Sequence, residues 1–455
     1  MFKEFREISA KEWKQKIQFE LKGKDYNKSL LTPTKEGINI KPFYHQDDKT
    51  TKNFNNPPSS WKICHKIIVQ NAIEGNSEAK IAIKNGAESL RFQISKENIQ
   101  LKQLLSDIDP QIIILIEPLF LSVEFSEQLK EVAANSAYKI HFLVDIIGNL
   151  ATTGNWYFNL KKDFSILRDV SMNTQNLESN ILINTGLLQN AGATIIQELA
   201  YGLAHAHEYI NYFFSEEKSI LSKQSFLFSI SIGPNYFFEL SKIRALRKMW
   251  EILTEEYDLL NKCYIFAVPS LRNKTSLDYN MNLLRTTTEN MSAILGGADI
   301  IENISYDTVY ATANNFSSRL AGNQLQILKK ESSFDKISHA SNGSYYIETV
   351  TNQLVEKALD LFKNIEKGGG YLQQLKSGTI QKKIKESAGK EQKAFDEGEI
   401  ILTGINSYKD PHATIPVFQK SPVSQKKIRK TLLEPVIPRR LSEKMETKLI
   451  KEHTL

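Results

Sequence analysis

Gln111-Ile112-Ile113-Ile114-Leu115-Ile116-Glu117 is the stretch on which the fold turns. Its apolar centre leaves no polar face. A strand with water on one side alternates in character. A strand apolar on both sides belongs to a parallel sheet covered by helices. Similar short runs recur at Lys62–Gln70, Ser89–Ile94, Tyr138–Ile147, Asn180–Thr185, Ser225–Ile232, Lys262–Val268 and, more weakly, Ala298–Ile304. Between them lie amphipathic helical patterns. Ala193–Tyr212 places Ile196, Leu199, Leu203, Ala206 and Ile210 on one side. Phe238–Leu253 does the same with Ile243, Leu246, Trp250 and Leu253. Strand–helix units repeated over about 250 residues match the size of an α/β (β/α)8 TIM barrel. A doubly wound open sheet has the same periodicity, so closure stays open at this level.

Outward from that centre the rhythm changes. The first 60 residues are polar, with isolated anchors such as Trp13 and Leu21, and form an extended N-terminal arm and linker. Ser9 with Glu12 three residues on predicts a capped helix from Ser9 to Leu21. The Asn-Asn-Pro-Pro-Ser-Ser run within Asn53–Ser60 reads as a linker. Residues 61–345 hold the barrel. Residues 346–410 form a C-terminal helical extension. It comprises Glu348–Lys367, with Val350, Leu354, Ala358 and Phe362 in register, and Lys376–Glu397. Gly368-Gly369-Gly370 stops the first helix. Residues 411–455 form a basic tail.

Composition narrows the function. The chain has 455 residues with 58 basic and 52 acidic side chains, a net charge of +6. That balance does not suggest nucleic acid, which selects a strongly basic face. No apolar run reaches the roughly 20 residues that cross a bilayer, and Met1-Phe2-Lys3-Glu4-Phe5 has no secretion-signal character. Cys64 and Cys263 provide no disulfide framework. The expectation is a soluble, cytoplasmic protein without membrane or nucleic-acid partners.

Local chemistry is sparse. Leu295-Gly296-Gly297-Ala298 matches no phosphate-binding loop. His205 and His207 are two apart on a predicted helix and face different ways, so no metal site is expected. There is no G-x-S-x-G. Asp278 and Arg285 fall near the predicted barrel mouth, as functional charges or as a structural ion pair.

One region is far more specific. Asp278-Tyr279-Asn280-Met281-Asn282-Leu283-Leu284-Arg285-Thr286-Thr287, leading into Ala293-Ile294-Leu295-Gly296-Gly297, resembles the adenosylcobalamin-dependent methylmalonyl-CoA mutases. Further blocks agree in order: Asn190-Ala191-Gly192-Ala193-Thr194, Ile232-Gly233-Pro234-Asn235, Gly343-Ser344-Tyr345-Tyr346, and Gly404-Ile405-Asn406-Ser407-Tyr408. The resemblance covers about residues 180 to 410. It implies a barrel that encloses an acyl-CoA thioester, and a separate domain that carries the cobalamin, whose own radical chemistry the protein positions and shields.

The departures from that pattern are specific too. Catalytic chains end the fifth strand in G-Y-H-M-Q-E-A-G-A; here Thr185–Ala193 stands in its place. The tyrosine position is Gly186, the histidine position Leu187 and the glutamate position Asn190. Leu187 can neither donate nor accept a hydrogen bond. Ser171–Ser179 lacks the arginine that would grip a substrate carboxylate. Burying that carboxylate uncompensated is strongly unfavourable. Asp410-Pro411-His412 starts the cobalamin motif D-x-H-x-x-G but does not complete it, so the cobalamin-binding domain is expected to be absent.

The resemblance therefore points to the small, or beta, subunits of heterodimeric members. It implies no catalytic residue and no cofactor on this chain. Adenosylcobalamin and the acyl-CoA would be held by a large cobalamin-binding partner subunit, which the arm contacts through Trp13 and Leu21. Asn184, Gln189, Asp278 and Arg285 are vestigial mouth candidates. Two alternatives remain: an independent barrel enzyme acting on another acyl-CoA or carboxylic acid, and a catalytic barrel whose cobalamin domain is a separate polypeptide.

Overall fold

The computed structural model describes residues 6–48, 60–216, 218–259, 262–312, 314–337, 340–410, 416–421 and 429–453. Its centre is a sheet of eight parallel strands. They are β1 (Lys62–Val69), β2 (Ser89–Ile94), β3 (Ile113–Pro118), β4 (Ile140–Phe142), β5 (Ile181–Asn184), β6 (Phe226–Ile232), β7 (Cys263–Pro269) and β8 (Ile300–Glu302). The order is β4-β3-β2-β1-β8-β7-β6-β5. Its two ends meet. His141 and Ser179 form a parallel bridge. Phe142 N donates to Ser179 O at 2.8 Å and Leu182 N to Val144 O at 2.9 Å. The sheet is thus a closed (β/α)8 barrel, and the open-sheet alternative falls. No second parallel sheet occurs among the described residues.

Alternation along the strands sorts the two faces. Ile63, Ile67, Ile114, Ile116, Phe226, Phe228 and Ile265 join the core beneath the surrounding helices. Cys64, Leu115, Leu143, Leu182, Leu227, Phe266 and Ile300 form a separate buried cluster, the inward layer. The lumen is therefore filled by side chains at this level. Two residues further along each strand, Lys66, Arg91, Glu117 and Glu302 form a charged layer nearer the C-terminal mouth. Arg91 binds Glu302 with both ends of its fork, at 2.7 and 2.6 Å, and reaches Glu117 at 3.1 Å.

The run Tyr138–Ile147 is not one strand. After β4 the chain turns at Asp145, whose carboxylate caps the helix Ile146–Thr153 by accepting from Gly148 N at 2.7 Å. The predicted helix Lys376–Glu397 is observed as Thr379–Asp396, its start set by Gly378 in the left-handed region at φ 76°, and a further short helix, Gly370–Lys376, precedes it. The long flanking helices Ile195–Glu216, Tyr236–Glu255 and Tyr345–Lys367 contain the expected apolar stripes.

The arm begins with the helix Ala10–Glu20. Ser9 and Glu12 form the expected reciprocal cap, at 3.2 and 3.1 Å. None of this helix's residues is buried. The arm is fastened at its root. Glu36, itself buried, accepts the N–H groups of Ile195 and Ile196 at 3.0 Å each. Lys35 pairs with Glu391 at 3.0 Å. The expected linker Asn53–Ser60 lies, but for Ser60, outside the described residues.

The tail follows the rim of the mouth. Leu432 N donates to Gly154 O, Val436 N to Ala151 O, Arg439 N to Asn190 O and Leu441 N to Arg272 O, all at 2.9 Å.

Candidate functional site

In a (β/α)8 barrel, reacting groups sit at the C-terminal mouth. Here the segment after β5 is a short helix, Gly186–Asn190, and four of the sequence-singled residues lie on it. Leu187 is buried in the main apolar core. A Cβ on Gly186 would stand 2.7 Å from Ser231 Oγ and 3.1 Å from Ser231 N. The barrel wall thus leaves no room there for the family's tyrosine. Gln189 is buried and accepts from Ser270 Oγ at 2.7 Å.

Asn190 ties the rim together. Its Nδ2 donates to Gly186 O at 2.9 Å and to Ser231 Oγ at 2.8 Å. Its Oδ1 accepts from Ser270 Oγ at 3.0 Å and Leu271 N at 2.8 Å. One side chain therefore links the segment after β5 to the end of β6 and to the loop after β7. A carboxylate could accept the bonds from Ser270 and Leu271. It could not donate to Gly186 O.

Asn184, half-buried at the end of β5, donates its backbone N–H to Asp145 at 3.1 Å. Asp145 also accepts from His205 Nε2 at 2.9 Å and Tyr209 Oη at 2.8 Å. His205 and His207 do diverge. His207 meets Tyr257 Oη and, 2.8 Å away, Glu366. No group of three or more metal-ligating side chains is found among the described residues.

Asp278 and Arg285 do not form the ion pair offered for them. Arg285 donates to Asn282 Oδ1 at 2.9 Å and to Thr403 O at 2.6 Å. The Asp278 carboxylate packs against Gly404. Both contribute to the seam between the β7 loop and the 400–408 segment.

Sequence reading missed a buried charge cluster behind this rim. Lys242 Nζ lies 2.8 Å from Glu198, 2.5 Å from Glu239 and 2.5 Å from Ser231 O. All three charged residues are buried. Burial pushes the Glu198 carboxyl up to about 7, against the pull of Lys242 and with the help of Glu239. The available signal was Glu239 and Lys242 standing three apart on a helix that also carries the apolar stripe Ile243, Leu246, Trp250 and Leu253. A second missed pair, Lys274 with Glu289 at 2.8 Å, braces the β7 loop.

The fold and rim define a (β/α)8-barrel protein whose mouth is knitted into hydrogen bonds and whose lumen is packed. Comparison with known proteins adds the family. The sequence profile described as methylmalonyl-CoA mutase matches residues 130–453. The chain is 32% identical to the methylmalonyl-CoA mutase small subunit of Porphyromonas gingivalis over 452 residues, covering 90% of this chain and 71% of that one. It is 33% identical to the methylmalonyl-CoA mutase of Rhizobium meliloti over 60% of this chain and 39% of that one. For the mutase of Cereibacter sphaeroides the identity is 35%, over 51% and 33%. The chain belongs to the methylmalonyl-CoA mutase family. The matched regions span less than half the length of the latter two relatives. No helix among the described residues is long and apolar enough to cross a membrane.

Proposed function

We propose that this chain is a non-catalytic small subunit of a heterodimeric methylmalonyl-CoA mutase. In this reading it stabilises a larger partner that interconverts methylmalonyl-CoA and succinyl-CoA. The observation that carries the proposal is the segment after β5. At the position where the family's catalytic chains place a histidine, Leu187 presents hydrocarbon to the apolar core. Beside it, Gly186 and Asn190 are held in contacts that the catalytic residue types could not keep.

The lumen supports the same reading. A thioester threaded along the axis would have to displace the layer of Leu115, Leu143, Leu182, Leu227 and Phe266. In this reading adenosylcobalamin belongs to the partner chain, because Asp410-Pro411-His412-Ala413-Thr414-Ile415 does not complete the D-x-H-x-x-G motif. An independent acyl-CoA or carboxylic-acid enzyme would need unengaged groups at the mouth. Gln189, Arg285 and Asn190 are instead committed to other parts of the chain.

The test is co-purification of the native chain, followed by a mutase assay with added adenosylcobalamin. A stoichiometric larger chain carrying D-x-H-x-x-G is expected, with activity in the pair and none in this chain alone. Turnover of any acyl-CoA by the isolated chain would overturn the proposal.

A further inference from the structure

A cavity of about 700 Å³ lies between the arm and the helix Tyr345–Lys367. Its volume falls in the range of small-molecule sites, roughly 300–1,000 Å³. It lies outside the barrel mouth and shares none of the residues discussed there. Its floor is apolar and aromatic, with Ile38 and Tyr26 buried and Phe43 beside them.

Its polar groups have a common property: few have a partner. Lys11 and Lys357 form no ion pair or hydrogen bond among the described residues, and Lys14 meets only the face of Tyr26, at 4.9 Å. Only Lys41 is neutralised, by Asp48 at 2.6 Å. Gln353 Oε1 is buried without a donor. A buried acceptor in that state is costly, and it marks a place where a donor belongs. Glu356 and Asp360 stand on the opposite wall beside Lys357.

We propose that this cavity binds a nucleoside di- or triphosphate. Each part of that ligand has a counterpart. The phosphates match the ammonium groups of Lys11 and Lys14. The ribose hydroxyls are donors for Glu356 and Asp360. A base amino group supplies the donor that Gln353 Oε1 lacks, and the base ring lies against Tyr26 and Phe43. A simple polyanion would satisfy the lysines alone and be repelled by the two carboxylates. The site uses neither the barrel mouth nor an acyl group, but it shares the arm helix with the proposed partner contact, so the titration is made on the isolated chain.

Trp13 provides the probe. It is 49% exposed and stacks on Phe43 with ring centroids 4.9 Å apart. The other three tryptophans, Trp61, Trp156 and Trp250, are buried. The experiment titrates the full chain with ADP, ATP and pyrophosphate, following Trp13 fluorescence and equilibrium dialysis. Saturable binding of ADP or ATP is expected, with pyrophosphate at least tenfold weaker. Lys14→Ala should weaken nucleotide binding about tenfold, as expected for one charge-assisted contact. Gln353→Leu, which keeps the arm lysines, should weaken it as well. Circular dichroism on both variants verifies that the fold is retained. Absence of saturable nucleotide binding overturns the proposal. So does equal affinity for pyrophosphate, or binding that neither substitution changes.

Discussion

At residue scale the decisive positions are those where one side chain excludes a chemistry. Leu187→His would restore the donor that catalytic relatives place there, yet the carboxylate-gripping arginine and the glutamate would still be missing. The expected outcome is no mutase activity in the isolated chain, and a stability loss of about 1–3 kcal/mol from putting a polar ring into apolar packing. A coupled mutase assay and urea denaturation test the two halves. Measurable turnover would mean that the barrel retains a usable site. Asn190 has the opposite character, because its value is structural. Asn190→Ala removes four hydrogen bonds at the rim. A loss of about 2 kcal/mol is expected, since partly buried partners are left unpaired. A variant as stable as the parent would show that the rim does not depend on this side chain.

At the scale of elements, the arm root is a cap supplied from far along the chain. Glu36 serves the N–H groups of Ile195 and Ile196 at the start of the 22-residue helix Ile195–Glu216, the two that the local Thr194–Gln197 cap does not reach. Anionic caps at a helix N-terminus are worth about 0.5–2 kcal/mol. Glu36→Ala should cost about that much in urea denaturation and make the arm more sensitive to limited proteolysis. An unchanged cleavage rate would show that other contacts, such as Lys35 with Glu391, hold the root alone. Elements of this kind separate what was legible in the sequence from what was not. Hydrophobic periodicity located β2 at Ser89–Ile94 to the residue, and the arm helix through its own Ser9–Glu12 cap, because both signals are local. The joined run Tyr138–Ile147 hid a strand end, since Asp145 and the apolar residues after it serve a helix that periodicity alone does not delimit. The open-sheet alternative fell only to the bridge between β4 and β5, a contact across 38 residues. The rim was legible as a set of departures from a family pattern. Its knot was not, because Asn190 finds its partners at the end of β6 and in the loop after β7, and Arg285 its carbonyl 118 residues on. Lys242 with Glu198, 44 residues apart, is of the same kind.

At the scale of the whole molecule, two properties emerge that no single element has. The first is a pH dependence. The Glu198 carboxyl titrates at about 7 in the fold against an ordinary value of 4.5. The folded state therefore holds this proton more tightly than the unfolded one. Its contribution is fully present below pH 4.5 and fades as pH rises through about 7. Glu198→Gln removes the titration, so the melting temperature of the variant relative to the parent should rise between pH 5 and pH 8; a constant difference would remove Glu198 from the account. The second property is an unsatisfied surface. Trp13 and Phe19 are 49% and 81% exposed along a helix that buries none of its residues, Ile8 just before it is 52% exposed, and Leu21 just beyond it is only half-buried. Exposed apolar side chains on a helix that buries none of its residues mark an interaction site more readily than a defect. If the arm grips the large subunit, Phe19→Asp should leave the melting temperature of the isolated chain within about 1 °C, as surface changes do, and weaken the heterodimer at least tenfold, the effect of losing about 1.4 kcal/mol at the interface. Sedimentation of the mixed subunits with mutase activity as a second readout measures this. A variant that loses stability by itself and pairs normally would place the arm helix in the intramolecular fold, and the grip on the partner would have to be sought on the barrel instead.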